Sequence, residues 1–289
     1  MKKILLTISL LTSVIAIASQ ITGKMSKNLL VSGSARSYIM EPSGKIVWEQ
    51  KKCGNIHRSM KHGDWIYYSN ANLFRVNIKT GAKELFYQPS PKEGVFGFEI
   101  LPNGNIVVAE NGTDFITELK AETKEPIVKF KGDPTSKDGK MPNKHHHYRM
   151  IRKTPAGTYL VACSGVNMVR EYDKSGKLIW EQPTPQLAFE AVRRKNGNTL
   201  ISHLTAVTEY TPEHKIVWSF ACKDKPELNL ANLCGIQELE NGNLVIGTYS
   251  NGKPDGSRVT ALEITRDKDV VWSYRATNDK SMMTAFLVD

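Results

Sequence analysis

The chain has 289 residues, 40% of them hydrophobic, and 39 Lys and Arg against 29 Asp and Glu, a formal charge of +10. The basic excess is spread over many loops rather than gathered in one run, which argues against a nucleic-acid binder and for a solvated basic surface. Such a surface can still draw in an anionic ligand over long range. Four cysteines without C-x-x-C spacing exclude a cysteine metal site.

Residues 1–18 read as a secretory signal peptide. Lys2 and Lys3 precede the apolar run from Ile4 to Ile15, and Ala16-Ile17-Ala18 supplies a small-x-small cleavage site. The run is short of the roughly 20 residues that a spanning helix needs, and no cysteine follows to carry a lipid. Cleavage near Ala18 is expected, with export to a bacterial periplasm or the outside. Loss of Lys2 and Lys3 takes the formal charge from +10 to +8. Export permits disulfides, and Cys222 and Cys234, which flank one long loop, are the pair suspected.

Residues 19–28 read as a loose leader, and 29–289 as one domain. Leu29–Gly33, Ser37–Met40 and Ile46–Trp48 are three strands, with a turn at Pro42-Ser-Gly-Lys45. A second unit starts near His57 and holds Trp65–Tyr68, Leu73–Val76 and Glu84–Tyr87. A third opens near Phe96 and closes at Phe130. A fourth opens near His147 and closes on Trp180, a fifth runs from Ala188 to Trp218, and a sixth from Gly235 to Trp272.

Two short phrases recur along these units. Asn103-Gly-Asn105, Asn196-Gly-Asn198 and Asn241-Gly-Asn243 open second strands. Gly44-Lys-Ile-Val-Trp48, Gly176-Lys-Leu-Ile-Trp180, His214-Lys-Ile-Val-Trp218 and Lys268-Asp-Val-Val-Trp272 close fourth strands. Self-similarity at this period marks a propeller or solenoid. The tail Met282–Val288 is an opening strand without followers, while the first unit has followers without an opening strand. Pairing them completes a blade and removes the exposed edge that an open array would leave. The expectation is an all-β, six-bladed β-propeller of four-stranded blades, closed by the C-terminal strand joining the N-terminal blade.

The Gly-Lys-x-x-Trp endings and Asn-Gly-Asn turns resemble the repeats of the pyrroloquinoline-quinone (PQQ)-like propeller superfamily. The resemblance implies the fold. It does not imply the quinone, because the quinone dehydrogenases carry eight blades and a vicinal cysteine pair, and this chain has six units and no adjacent cysteines. A second resemblance is to aryl-sulfate sulfotransferases, which pair channel histidines with arginine. Here His145-His-His147 precedes Tyr148-Arg149 and the turn at Gly157.

Ligand sites in propellers gather at a channel mouth, where first strands begin and second strands end. That geometry selects His57, His147, Arg149 and Glu190 from first strands, and Glu110, His203 and Tyr249 from second-strand ends, as candidate ligand-binding residues. His147 and His57 are the candidate catalytic groups, since histidine serves as acid, base or nucleophile. His57, His147 and Glu190 could form a mixed His/carboxylate site for a divalent metal. His145 and His146 read as solvated loop residues. The loops Lys131–Lys144 and Cys222–Leu233 rise at the same mouth and could seat a protein partner.

The leading expectation is an exported, monomeric binder of a small molecule or carbohydrate, anionic ones included, with no membrane span after cleavage. A sulfotransferase-like or hydrolase/lyase enzyme, or a protein-interaction scaffold, are the alternatives, because the fold alone cannot choose among them.

Overall fold

The computed structural model describes residues 20–89, 94–249, 256–277 and 284–289. The proposed signal peptide lies outside the described residues, as do Met282 and Met283. Among the described residues there are six antiparallel sheets. Blade 1 runs from inside to outside through Ala285–Val288, Asn28–Ser32, Arg36–Met40 and Ile46–Lys51. Blades 2 to 5 follow in chain order, with innermost strands Arg58–His62, Val95–Ile100, Ile151–Lys153 and Ala188–Arg193. Blade 6 starts at Leu233–Glu238. Each innermost strand contacts the next, and that of blade 6 contacts Ala285–Val288, so the ring closes as the repeats predict.

The closure is held by more than strand pairing. Val31 pairs with Ala285 and Leu29 with Leu287 in antiparallel register. The Gln237 side chain of blade 6 accepts from the Leu287 amide at 2.7 Å and donates to its carbonyl at 3.1 Å. Such a pair of bonds satisfies a strand that would otherwise present unpaired backbone at the channel.

The strands alternate in the way a two-faced sheet requires, and nearly every second- and third-strand residue is buried because blades pack face to face. The tryptophans stitch blade to blade. Trp180 donates to the Pro212 carbonyl of blade 5, and Trp218 to the Arg266 carbonyl of blade 6 at 2.7 Å. Trp48 packs against Leu30 and Ile39 of its own blade and Ile66 of blade 2.

One expectation is corrected. The leader is not loose: Gln20–Gly23 adds a fifth strand outside Val270–Arg275 of blade 6, with Gly23 opposite Trp272. This strand explains why Trp272 is fully buried while Trp48, Trp180 and Trp218 are only partly so. Gly23 is required there. Its φ is +85°, and an added Cβ would lie 2.2 Å from the Val271 carbonyl oxygen. The sequence Gln-Ile-Thr-Gly is too short to show a strand's alternation, which is why its pairing is not legible before the fold is known. No described helix is long and apolar enough to cross a membrane.

Candidate functional site

Midway down the channel, charge closes it. Glu190 of blade 5 accepts from Arg58 Nη1 of blade 2 at 2.7 Å and from Arg152 Nε of blade 4 at 2.8 Å. Its second oxygen accepts the Ile236 amide of blade 6. Arg152 reaches on to Glu99 of blade 3 at 3.1 Å. The Phe286 ring of blade 1 lies 5.1 Å from the Arg58 guanidinium. All six blades therefore meet at one plug. Burial pushes the Glu190 carboxyl up, but Arg152 and Arg58 outweigh it and hold the group below its usual range. Glu190 is thus spent on structure rather than offered to a ligand or metal.

The plug separates two mouths. The one at the strand ends holds a cavity of about 610 Å³, the larger of the two, and is lined by Arg152, Lys153, Arg193 and Arg194. Each of these cations already has a carboxylate. Lys153 pairs with Glu118 at 2.7 Å, Arg193 with Glu171, and Arg194 with Glu209 and Glu238. Its size alone does not make it the site, because these four half-buried cations are already neutralised and the charged groups on its wall outside these pairs, Lys195 and Glu240, are exposed.

The mouth at the strand starts holds a cavity of about 350 Å³. Its polar wall is His57, His145, His146, Arg149, Asn232 and Tyr249. Its apolar wall includes Leu187, Phe189 and Leu204, which pack with Cys234. Tyr249 and Asn232 are fixed to each other by two bonds, Tyr249 N–H to the Asn232 carbonyl and the Asn232 side-chain Nδ2 to the Tyr249 carbonyl, each at 2.9 Å. His57 lies against Phe96 with centroids 4.1 Å apart and the rings tilted by 36°, and His145 meets both rings edge-on.

Arg149 is placed by a close approach of blades 3 and 4. Its carbonyl would lie 2.1 Å from a Cβ on Gly97, so only glycine admits it. Its amide donates to the Ala162 carbonyl, and its side chain is 5% exposed. Nη2 lies 3.3 Å from His146 Nδ1, while Nε and Nη1 have no acceptor.

The imidazoles here are neutral. Burial, then the Arg149 charge and His145, push His57 down to about 3. Burial, Arg149 and His146 push His145 down to about 4. His146 is lowered by the same first two causes.

The sequence-selected residues divide. The structure brings His57, Arg149 and Tyr249 together. It does not bring in His147, whose ring nitrogens are engaged by Asp114 Oδ1 at 2.7 Å and the Pro142 carbonyl at 3.1 Å. His147 anchors the loop before blade 4, whose first strand starts at Ile151. Glu110 accepts from Tyr87 and Thr113, tying blade 2 to blade 3. His203 is buried beside Thr208, and its neighbour Leu204 lines the cavity instead. The proposed His57/His147/Glu190 metal set does not converge, because two of the three are held by other partners. Among the described residues no group of three His, Cys, Asp or Glu is arranged for a metal.

His145 is exposed and His146 half-buried, as expected of loop residues, and both also line the rim of the cavity. The signal for their place at the rim is Asn143, whose side chain caps the 3-10 turn Lys144–His146 by accepting the His145 amide. The rest of the Lys131–Lys144 loop is strapped to blade 4 by Arg170, which donates to the Asp133 and Thr135 carbonyls. All four cysteines are free thiols, so Cys222 and Cys234 are not bonded.

No protein-family model matches this chain, and no curated protein matches it. Solved structures do. A protein of unknown function from Bacteroides caccae superposes with a TM-score of 0.77 at 22% identity, over 90% of this chain and 98% of that one. A streptogramin B lyase superposes at 0.60 with 12% identity, over 93% and 98%. Virginiamycin B lyase from Staphylococcus aureus gives 0.59 and 12%, over 93% and 99%. At these identities the likeness shows the six-bladed propeller and nothing of the chemistry.

Proposed function

We propose that this chain is an exported propeller of the PQQ-like repeat type that binds a small molecule or glycan at the strand-start mouth of its channel. The Lys-rich, apolar opening of the sequence supports export, and the Gly-Lys-x-x-Trp repeats support the superfamily. The observation that carries the binding reading is the cavity of about 350 Å³, in which one apolar wall faces several fixed polar groups. Small-molecule sites have that form.

A catalytic reading has less support. A general base works best with a pKa near the working pH, whereas His57 and His145 are held at about 3 and about 4. His147 is engaged on both nitrogens. The fold is shared with lyases, which supports an enzyme only by analogy of architecture.

Filling the cavity tests the proposal. A small-molecule extract of the expressing cells should raise the melting temperature of the purified protein and leave Leu204→Trp unmoved. Equal shifts in both, or none in either, would overturn the reading.

A further inference from the structure

Three arginines are buried in the channel and blades: Arg58, Arg149 and Arg170. Arg58 has Glu190 at 2.7 Å, and Arg170 has Glu181 and Asp133. Arg149 has no carboxylate within ion-pair distance among the described residues, and two of its three guanidinium nitrogens have no acceptor. Among the described residues its one side-chain hydrogen-bond contact is a 3.3 Å approach to a neutral imidazole. Guanidinium does not deprotonate in proteins, and a buried charge is costly unless it is paired. No described side chain supplies the missing partner, and Arg149 stands on the wall of a cavity that can admit one.

The surroundings set what that partner is. Among the described residues the cavity wall includes no Asp, Glu or Lys, so no described side chain repels an anion or adds a second fixed positive charge. The three histidines beside Arg149 are neutral in the empty pocket and can donate or accept without adding charge. One unpaired cation calls for one negative charge. In the same cavity Leu187, Phe189 and Leu204 form an apolar wall.

We propose that the ligand of this pocket is a singly charged oxyanion on an apolar or aromatic body, its head group held by Arg149 and its body laid against Phe189 and Leu204. This rests on the binding reading above and deepens it. The contrast with the opposite mouth is the reason for preferring this end: there every lining arginine already faces a carboxylate.

The test uses three probes of one shape and different charge: 2-naphthoate, 2-naphthamide and 2-naphthyl phosphate. Binding is followed by NMR on the His57, His145 and His146 ring signals at fixed ionic strength. The wild type should bind naphthoate at least about tenfold more tightly than the amide, a step of roughly 1.4 kcal/mol, and more tightly than the dianion. Arg149→Gln should erase the preference, and Arg149→Lys, which keeps the charge, should retain part of it. Amide binding equal to naphthoate, or a preference that survives in Arg149→Gln, would overturn the charge assignment and leave the pocket standing. No response of the three rings to any probe would overturn the pocket reading and this inference together.

Discussion

Arg58 Nη1 donates to Glu190 Oε1 at 2.7 Å across the channel, between two side chains that are both fully buried and 132 positions apart in the chain. The pair works only as a unit. Removing one partner of a buried ion pair typically costs about 3–5 kcal/mol, because the other charge is stranded.

Glu190→Gln is therefore expected to destabilise the protein by about that amount, by stranding Arg58 beside Arg152. Urea denaturation at pH 7 measures it. The wild type has a matching pH signature. A carboxyl held below its ordinary value of 4.5 contributes stability above that value and loses it as pH falls further. The variant should lose less stability than the wild type between pH 5 and the acid limit of folding. An unchanged denaturation midpoint would show that the plug is not load-sharing between blades.

Arg149→Met should behave oppositely. It removes an unpaired buried charge and is expected to raise stability by about 1–2 kcal/mol, the usual size of a gain where function had imposed a cost. The same variant should no longer bind the anionic probe. Thermal melts with and without naphthoate separate the two effects, and a drop in stability would show that Arg149 has a structural partner after all.

His57 predicts a second pH dependence of opposite chemistry. Its folded pKa of about 3 lies below its ordinary 6.5, so the unfolded chain binds the proton first. Stability should fall as pH drops from about 6.5 toward 3, and the slope should shrink in His57→Gln. Denaturation midpoints at pH 7 and pH 5 decide it. A bound anion offsets the Arg149 charge and should raise this pKa, so that binding takes up protons and tightens at lower pH. Calorimetry in two buffers of different ionisation enthalpy reads that uptake.

Gly23→Val should detach the fifth strand. The substitution combines a φ of +85° with a Cβ 2.2 Å from the Val271 oxygen, strain of a kind that costs about 1–3 kcal/mol. Trp272, which donates to Glu263 at 2.6 Å, should become exposed to water, visible as a red shift and stronger quenching of tryptophan emission. Unaltered emission would mean that the indole is buried without the leader.

The blades were legible because their phrases repeat. Asn-Gly-Asn turns and Gly-Lys-x-x-Trp endings fix strand order, and a first unit lacking a strand that the tail supplies forces closure. The site was half legible. Strand starts pointed to His57 and Arg149, because position in a repeat sets which mouth a side chain reaches. The roles of His147 and Glu190 are not legible for a different reason: their partners Asp114 and Arg58 lie 33 and 132 residues away, and no local pattern announces a pairing at that range. His145 and His146 are solvated loop residues that also reach the cavity, and the repeat does not mark that second role because a capped turn, rather than a strand, presents them.

Ring closure has a bearing on synthesis and transport. Residues 28–32 wait for residues 285–288 before blade 1 has an inner strand, and nearly the whole chain must be made between the two events. Contacts that distant in sequence form late. A ribosome-bound chain can assemble blades 2 to 5 but cannot lock the circle, so the native state is reached only after translation has passed residue 288. For a polypeptide proposed to cross a membrane unfolded, the last strand acts as a delay, keeping the chain open until nearly all of it has been threaded through.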